Sequence, residues 1–113
     1  MGLMVRMHIC GNTRPVLAEL GRLGCEIVDL DYMVPVAEAR AAMGPEQVLL
    51  GNIDPVGVLR NGAPDAVTRA IAKCHADAGA RYIVGAGCEV VRDTPHANIE
   101  ALCRYARNPI PPS

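Results

Sequence analysis

Apolar and polar positions along the chain change rhythm repeatedly, and the rhythm predicts strands followed by helices. Val5 to Cys10 is an apolar run that stops at Gly11-Asn12-Thr13. The stretch from Arg14 to Leu23 then places Val16, Leu17, Leu20 and Leu23 at helical spacing on one face. Asn12 or Thr13 is positioned to cap this helix, Pro15 falls in its first turn and Gly24 can end it. The same grammar recurs: Glu26 to Leu30 before a helix near Val36 to Met43, Val48 to Leu50 before Pro64 to Ala78, and Tyr82 to Val84 before His96 to Arg107. Gly57 to Ala63 reads as an irregular loop, and Asn108 to Ser113 is too proline-rich to continue the last helix.

Four βα units in succession predict an α/β fold with a parallel sheet, because parallel neighbours cannot be joined by a hairpin and need crossover connections. Pattern alone leaves doubly wound and barrel sheets both open. A chain of 113 residues, half of them hydrophobic, fits a single domain over residues 1–113. Phe and Trp are absent and Tyr occurs three times, so small aliphatic side chains must fill the core.

Charge removes several classes of function. Eleven basic residues against twelve acidic ones give a formal net charge of -1, with no basic stripe and no aromatic platform, which argues against nucleic-acid binding. No apolar run approaches the roughly 20 residues that span a bilayer, and the start lacks signal-peptide features, so the expected location is the cytoplasm. Five cysteines at irregular spacing do not read as a disulfide framework; in a reducing compartment, clustered Cys and His point to metal or catalysis.

The chemistry-bearing residues fall where parallel sheets gather function, at the carboxyl ends of strands. The first strand ends in His8-Ile9-Cys10, the second in Asp29-Leu30-Asp31, the third in Gly51-Asn52-Ile53-Asp54-Pro55 and the fourth in Gly85-Ala86-Gly87-Cys88. A period of two turns His8 and Cys10 the same way, and likewise Asp29 and Asp31. One imidazole and two thiolates form a ligand set that favours Zn²⁺ over Mg²⁺ or Ca²⁺ and leaves a fourth position open. A His-x-Cys at a strand end is, taken alone, commonly a buried Cys beside a capping His; Cys88 at a matching strand end is what strengthens the metal reading. Asp29 and Asp31 are candidates for general acid and base, for an orienting partner of the imidazole, or for a metal ligand; helix capping suits Asp31 better than Asp29. Asn52, Asp54 and Gly87 are assigned to the cofactor side of the same edge, with Asn52 and Asp54 orienting the site without binding metal. Cys25, Cys74 and Cys103 read as packing residues, and His75 and His96 as solvent-facing or capping. Gly85-x-Gly87 is no dinucleotide loop, since Val90 stands where a third glycine belongs.

Taken together, His8-Ile9-Cys10-Gly11-Asn12, Leu30-Asp31-Tyr32-Met33-Val34, Gly51-Asn52-Ile53-Asp54-Pro55 and Gly85-Ala86-Gly87-Cys88, followed by Asp93-Thr94-Pro95, resemble the carboxyl-terminal half of the uroporphyrinogen decarboxylase superfamily. Within it the chain is most similar to the cobalamin-dependent methyltransferases of the methylcobalamin:coenzyme M methyltransferase type. The resemblance implies half of a TIM (β/α)₈ barrel and a zinc site of His8, Cys10 and Cys88, with seventy-seven residues between the two cysteines. It further implies an acidic ligand on or near Asp31 in some members. Decarboxylases carry histidine where Cys88 stands, so the resemblance favours methyl transfer between a corrinoid, methylcobalamin, and a thiol or other small methyl donor or acceptor. Alternatives are decarboxylation of a tetrapyrrole side chain and a non-catalytic oligomerising or metal-storing fragment. The family's enzymes are complete barrels, which implies a missing amino-terminal half-barrel or a homodimer to cover an exposed sheet face.

Overall fold

A computed structural model describes residues 3–109 of the chain. The expected α/β architecture is present: strands β1 (Arg6–His8), β2 (Ile27–Asp29), β3 (Val48–Leu50) and β4 (Tyr82–Ile83) form one sheet in the order β1-β2-β3-β4, every neighbouring pair parallel. Helices α1 (Leu17–Arg22), α2 (Val36–Met43), α3 (Pro64–Ala78) and α4 (His96–Arg107) follow the strands in turn. The result is four βα units in the arrangement of a half-barrel. Among the described residues no helix is long and apolar enough to cross a membrane.

Strand alternation sorts the sheet into two faces. Met7, Val28, Leu49 and Tyr82 stand in register and lie under the helices, where Val28 and Leu49 join Leu17, Leu30, Val34, Val36, Ala39 and Ala78 in one buried cluster. Ile53, Leu59, Val67, Ile71, Ala101 and Tyr105 form a second cluster between α3 and α4. On the other face lie Arg6, Ile27 and Val48, and beside them His8, Asp29, Leu50 and Ile83. The open face therefore carries both apolar residues and the polar ones that approach the site.

Several elements depart from the sequence-based expectations. The first helix begins as a 3₁₀ turn over Arg14–Val16. The tighter winding shifts the phase of the apolar stripe, so Leu17 and Leu20 are buried while Val16 and Leu23 are exposed. Asn12 supplies the cap, its Oδ1 accepting from Arg14 N at 3.1 Å, and Thr13 makes no side-chain cap bond. Gly24, with φ of 77°, takes the left-handed conformation that closes the segment. Pro55–Arg60 is a π-helical turn, where an irregular loop was expected from Gly57 onward. Asp54 starts that turn by accepting from the amides of Val56 and Gly57, and Asn98 Nδ2 holds its far end by donating to Leu59 O and Gly62 O. Helix α4 ends at Arg107 as the proline-rich tail predicts; residues 110–113 lie outside the described residues, as do Met1 and Gly2.

Candidate metal centre

In register, His8 stands beside Asp29 across β1 and β2. Two residues further on, on the same face of each strand, come Cys10 and Asp31. Cys88 belongs to the segment after β4, three strands away from β1. Three inter-strand steps of about 4.8 Å would separate such strands by roughly 14 Å in a flat sheet. The sulfurs of Cys10 and Cys88 are nevertheless 3.7 Å apart.

Two contacts carry the last segment inward. Ile53 and Ala86 form a parallel bridge beyond the ends of β3 and β4, and Gly87 N donates to Ile53 O at 2.8 Å. Gly87 then lies directly on the backbone of Tyr32, where a Cβ would come within 2.7 Å of Tyr32 Cα. The absence of a side chain at Gly87 thus lets the Cys88 segment reach the Asp31 loop; this positioning role is what the structure shows for a residue expected on the cofactor side.

The ligand-type atoms of Cys10, Asp31 and Cys88 all lie within 4.8 Å of one another. His8 stands next to this trio and meets it through Cys10, its Nε2 at 3.4 Å from the Cys10 sulfur. Of the expected set of His8, Cys10 and Cys88, the two cysteines come together with Asp31 as the third member of the cluster, and His8 adjoins it through Cys10. Two Zn–S bonds of about 2.3 Å meeting at a tetrahedral angle separate their sulfurs by about 3.8 Å, so the observed spacing fits that metal. Asp31 is held in place from both sides: Gly11 N donates to Oδ2 at 2.9 Å and Met33 N to Oδ1 at 3.0 Å. Asn52 Nδ2 donates to Asp31 O at 2.9 Å and to Val34 O, and its Oδ1 accepts from the Cys74 thiol. Asn52 thus orients the loop that bears Asp31. Asp54 spends its carboxylate on the cap of the π-helical turn.

Asp29 has a different place from Asp31. Its carboxylate is buried and accepts a fork from Arg6, Nε to Oδ1 at 2.8 Å and Nη2 to Oδ2 at 2.8 Å, together with a 2.7 Å contact from His8 Nδ1. Burial works against ionisation here, but the hydrogen bonds and charges of Arg6 and His8 outweigh it and hold the carboxyl below its ordinary range. Of the roles open to Asp29, the geometry gives that of orienting the imidazole. Arg6 was not singled out in the sequence, although Arg6-x-His8-x-Cys10 places all three on one face. At Cys10 the electrostatics run the other way: hydrogen bonding and charge from Cys88, then burial, then Asp31 and Glu89, push the thiol up. Two thiolates and a carboxylate gathered this closely repel one another, and a bound divalent cation reverses that balance.

The remaining cysteines and histidines lie away from this cluster. Cys25 and Cys74 pack against the core as expected, but Cys103 is exposed on α4 and does not. His75 is half-buried where a solvent-facing residue was expected: its Nδ1 is 2.8 Å from the Tyr105 hydroxyl and its ring stacks on Tyr82 at 5.5 Å. The aromatic neighbours that hold it come from β4 and α4, too distant in sequence to be read locally. His96 is exposed at the start of α4.

Comparison with known proteins gives a consistent result. The chain is 38% identical over 102 residues to a methylcobamide:CoM methyltransferase MtbA of Methanosarcina mazei, covering 90% of this chain and 29% of that protein. It is 34% identical over 94 residues to a uroporphyrinogen decarboxylase of Drosophila virilis, covering 81% of this chain and 24% of that one. A solved methyltransferase from Methanosarcina mazei superposes with a TM-score of 0.81 at 22% identity, over 92% of this chain and 31% of its own length. The chain thus spans less than a third of the length of these relatives. The family model for uroporphyrinogen decarboxylase (URO-D) matches residues 2–109, nearly the whole of the sequence, and with the shared half-barrel of parallel βα units it shows that this chain belongs to the URO-D family.

Proposed function

We propose that this chain carries the metal site of a zinc-dependent methyltransferase that moves a methyl group between a corrinoid and a thiol. The observation that carries the reading is the meeting of Cys10 and Cys88, from opposite ends of the sheet, at 3.7 Å beside Asp31 and His8. Thiolate-rich sets with one nitrogen or oxygen donor select zinc over the hard cations. The names of the methyltransferase relatives support the corrinoid and the thiol. The reaction belongs to the larger protein that such relatives represent.

In this reading Cys10, Cys88 and His8 hold the ion, with Asp31 available as a further ligand. When bound there, zinc supplies Lewis acidity that lowers the pKa of a thiol substrate into the neutral range. The two cysteine sulfurs donate charge to the site, Asp29 fixes the direction of the His8 ring, and Asn52 fixes the Asp31 loop. The substrate thiol gives its proton to solvent. The sulfur would then take the methyl group from a methylcorrinoid, forming an S–C bond while the electron pair of the broken Co–C bond stayed with the corrinoid.

Elemental analysis of the purified chain tests the proposal. About one zinc per chain is expected in the wild type and a large loss in Cys10→Ser and Cys88→Ser, with methylcobalamin demethylation by added thiol, followed by its absorbance, lost in parallel wherever the larger protein is assayed. A folded wild-type chain that takes up no zinc overturns the reading. It would favour the second one, metal-free decarboxylation of a tetrapyrrole, which the uroporphyrinogen decarboxylase relatives support.

A further inference from the structure

We infer that Arg6 is a positioning residue for the metal site, acting through Asp29 to hold the His8 imidazole as an Nδ1–H donor with Nε2 presented to the metal; the metal part of this rests on the zinc reading above. The three residues form a line along the open face of β1 and β2. The Arg6 guanidinium forks onto Asp29, with Nε at 2.8 Å and 3.1 Å from the two oxygens and Nη2 at 2.8 Å from Oδ2. Asp29 Oδ2 in turn lies 2.7 Å from His8 Nδ1, and His8 Nε2 points to Cys10 at 3.4 Å.

Register produces the line. Arg6 and His8 are two apart on β1 and so share a face, and Asp29 is the direct partner of His8 on β2. A carboxylate presents two oxygens and turns freely about its Cβ–Cγ bond. A planar guanidinium that meets both oxygens in a fork removes that freedom, which an ammonium cannot do. The fixed Oδ2 accepts from His8 Nδ1, so the proton stays on that nitrogen and the lone pair on Nε2 faces the Cys10 sulfur. A neutral imidazole that ligates a metal through one nitrogen gains basicity and direction from such an acceptor on the other. Arg6 is the outer member of the line: its side chain is 58% exposed while that of Asp29 is 5% exposed. Replacing Arg6 therefore leaves the core intact, which makes it the cleaner probe of the two.

The test compares wild type with Arg6→Met, Arg6→Lys and Asp29→Asn in the full chain, using two readouts. The first is zinc affinity by competition with a chromophoric chelator. The second is the ¹⁵N spectrum of His8 in the metal-free protein, which separates the two imidazole tautomers. Arg6→Met is expected to bind zinc about tenfold more weakly and to lose the Nδ1–H signature of His8, with an unchanged far-ultraviolet circular dichroism spectrum. Arg6→Lys, which keeps the charge but not the fork, is expected to fall between wild type and Arg6→Met, and Asp29→Asn to resemble Arg6→Met. Wild-type values for Arg6→Met in either readout overturn the inference. If the wild-type chain takes up no zinc, the zinc reading fails by that result, and the tautomer of His8 still decides whether Arg6 positions the ring.

Discussion

Gly87 is the residue at which one added carbon matters most for the site. A Cβ there would meet the Tyr32 backbone, 2.7 Å from its Cα, and no rotamer change can relieve a clash with main chain. Tyr32 adjoins Asp31, and Gly87 adjoins Cys88, so the relief must come by moving the segments that bear Asp31 and Cys88 apart. Gly87→Ala is expected to lower stability by about 1–3 kcal/mol, the usual range for overpacking, and to weaken zinc uptake further than Arg6→Met does. Urea unfolding and chelator competition check this; wild-type zinc affinity in Gly87→Ala would show that the two segments need not touch. At this scale the sequence was informative about which side chains reach the sheet edge. His8 and Cys10 share a face because strand side chains alternate, and the same rule separates Asp29 from Leu30. It did not reveal which carboxylate would serve the imidazole and which would join the thiols, because that depends on the register between strands.

Among the elements, Arg40 of α2 shows how the helix layer is tied to the sheet. Its guanidinium donates to four carbonyls: Ala78 at the end of α3, Gly44 just beyond α2, Gln47 ahead of β3 and Arg81 ahead of β4. These are backbone acceptors at segment ends, where helix carbonyls lack intrahelical partners; Arg81 O also accepts from Leu49 N at 3.1 Å. Arg40→Met is expected to cost about 3 kcal/mol, from the loss of charge-assisted bonds and the acceptors left unsatisfied. The urea midpoint should fall with an unchanged slope, and a midpoint equal to wild type would show that solvent serves those carbonyls equally well. Helices α2, α3 and α4 and strand β3 have the bounds that periodicity predicts, since each is long or apolar enough to be read locally. The first helix and the turn after Asp54 were read less well. A 3₁₀ start and a π-helical turn have other periods than 3.6, and Asn98, from a distant helix, completes the hydrogen bonding of the second.

Across the whole molecule, the sheet has one face under helices and one without them. Ile27, Val48 and Leu50 are half-buried and Ile83 is 38% exposed on the open face, and none of the four belongs to either core cluster. On β3 the open position falls to Leu50, since its neighbour Leu49 lies fully buried beneath the helices. Met4, ahead of β1, is exposed. An apolar sheet face of this kind calls for a cover, either a second copy or another half-barrel. The isolated chain is expected to sediment as a dimer at micromolar concentration, with a largely apolar interface beyond about 2,000 Å². A stable monomer of 12.0 kDa would contradict this.

By itself the sequence determined the order of the βα units, their parallel sense and the set of polar residues delivered to the carboxyl edge. These follow from local periodicity and from the alternation of side chains along a strand, so a few neighbouring residues carry the information. Only the tertiary structure decided that Cys88 folds back to Cys10, that Asp31 joins the thiols while Asp29 turns to His8, and that Arg6 stands behind that pair. Each of these depends on contacts between segments far apart in the chain: the Ile53 and Ala86 bridge, the fit of Gly87 on Tyr32, and the pairing of His8 with Asp29. Periodicity places a side chain on a face, but the distance between two faces is a property of the closed sheet.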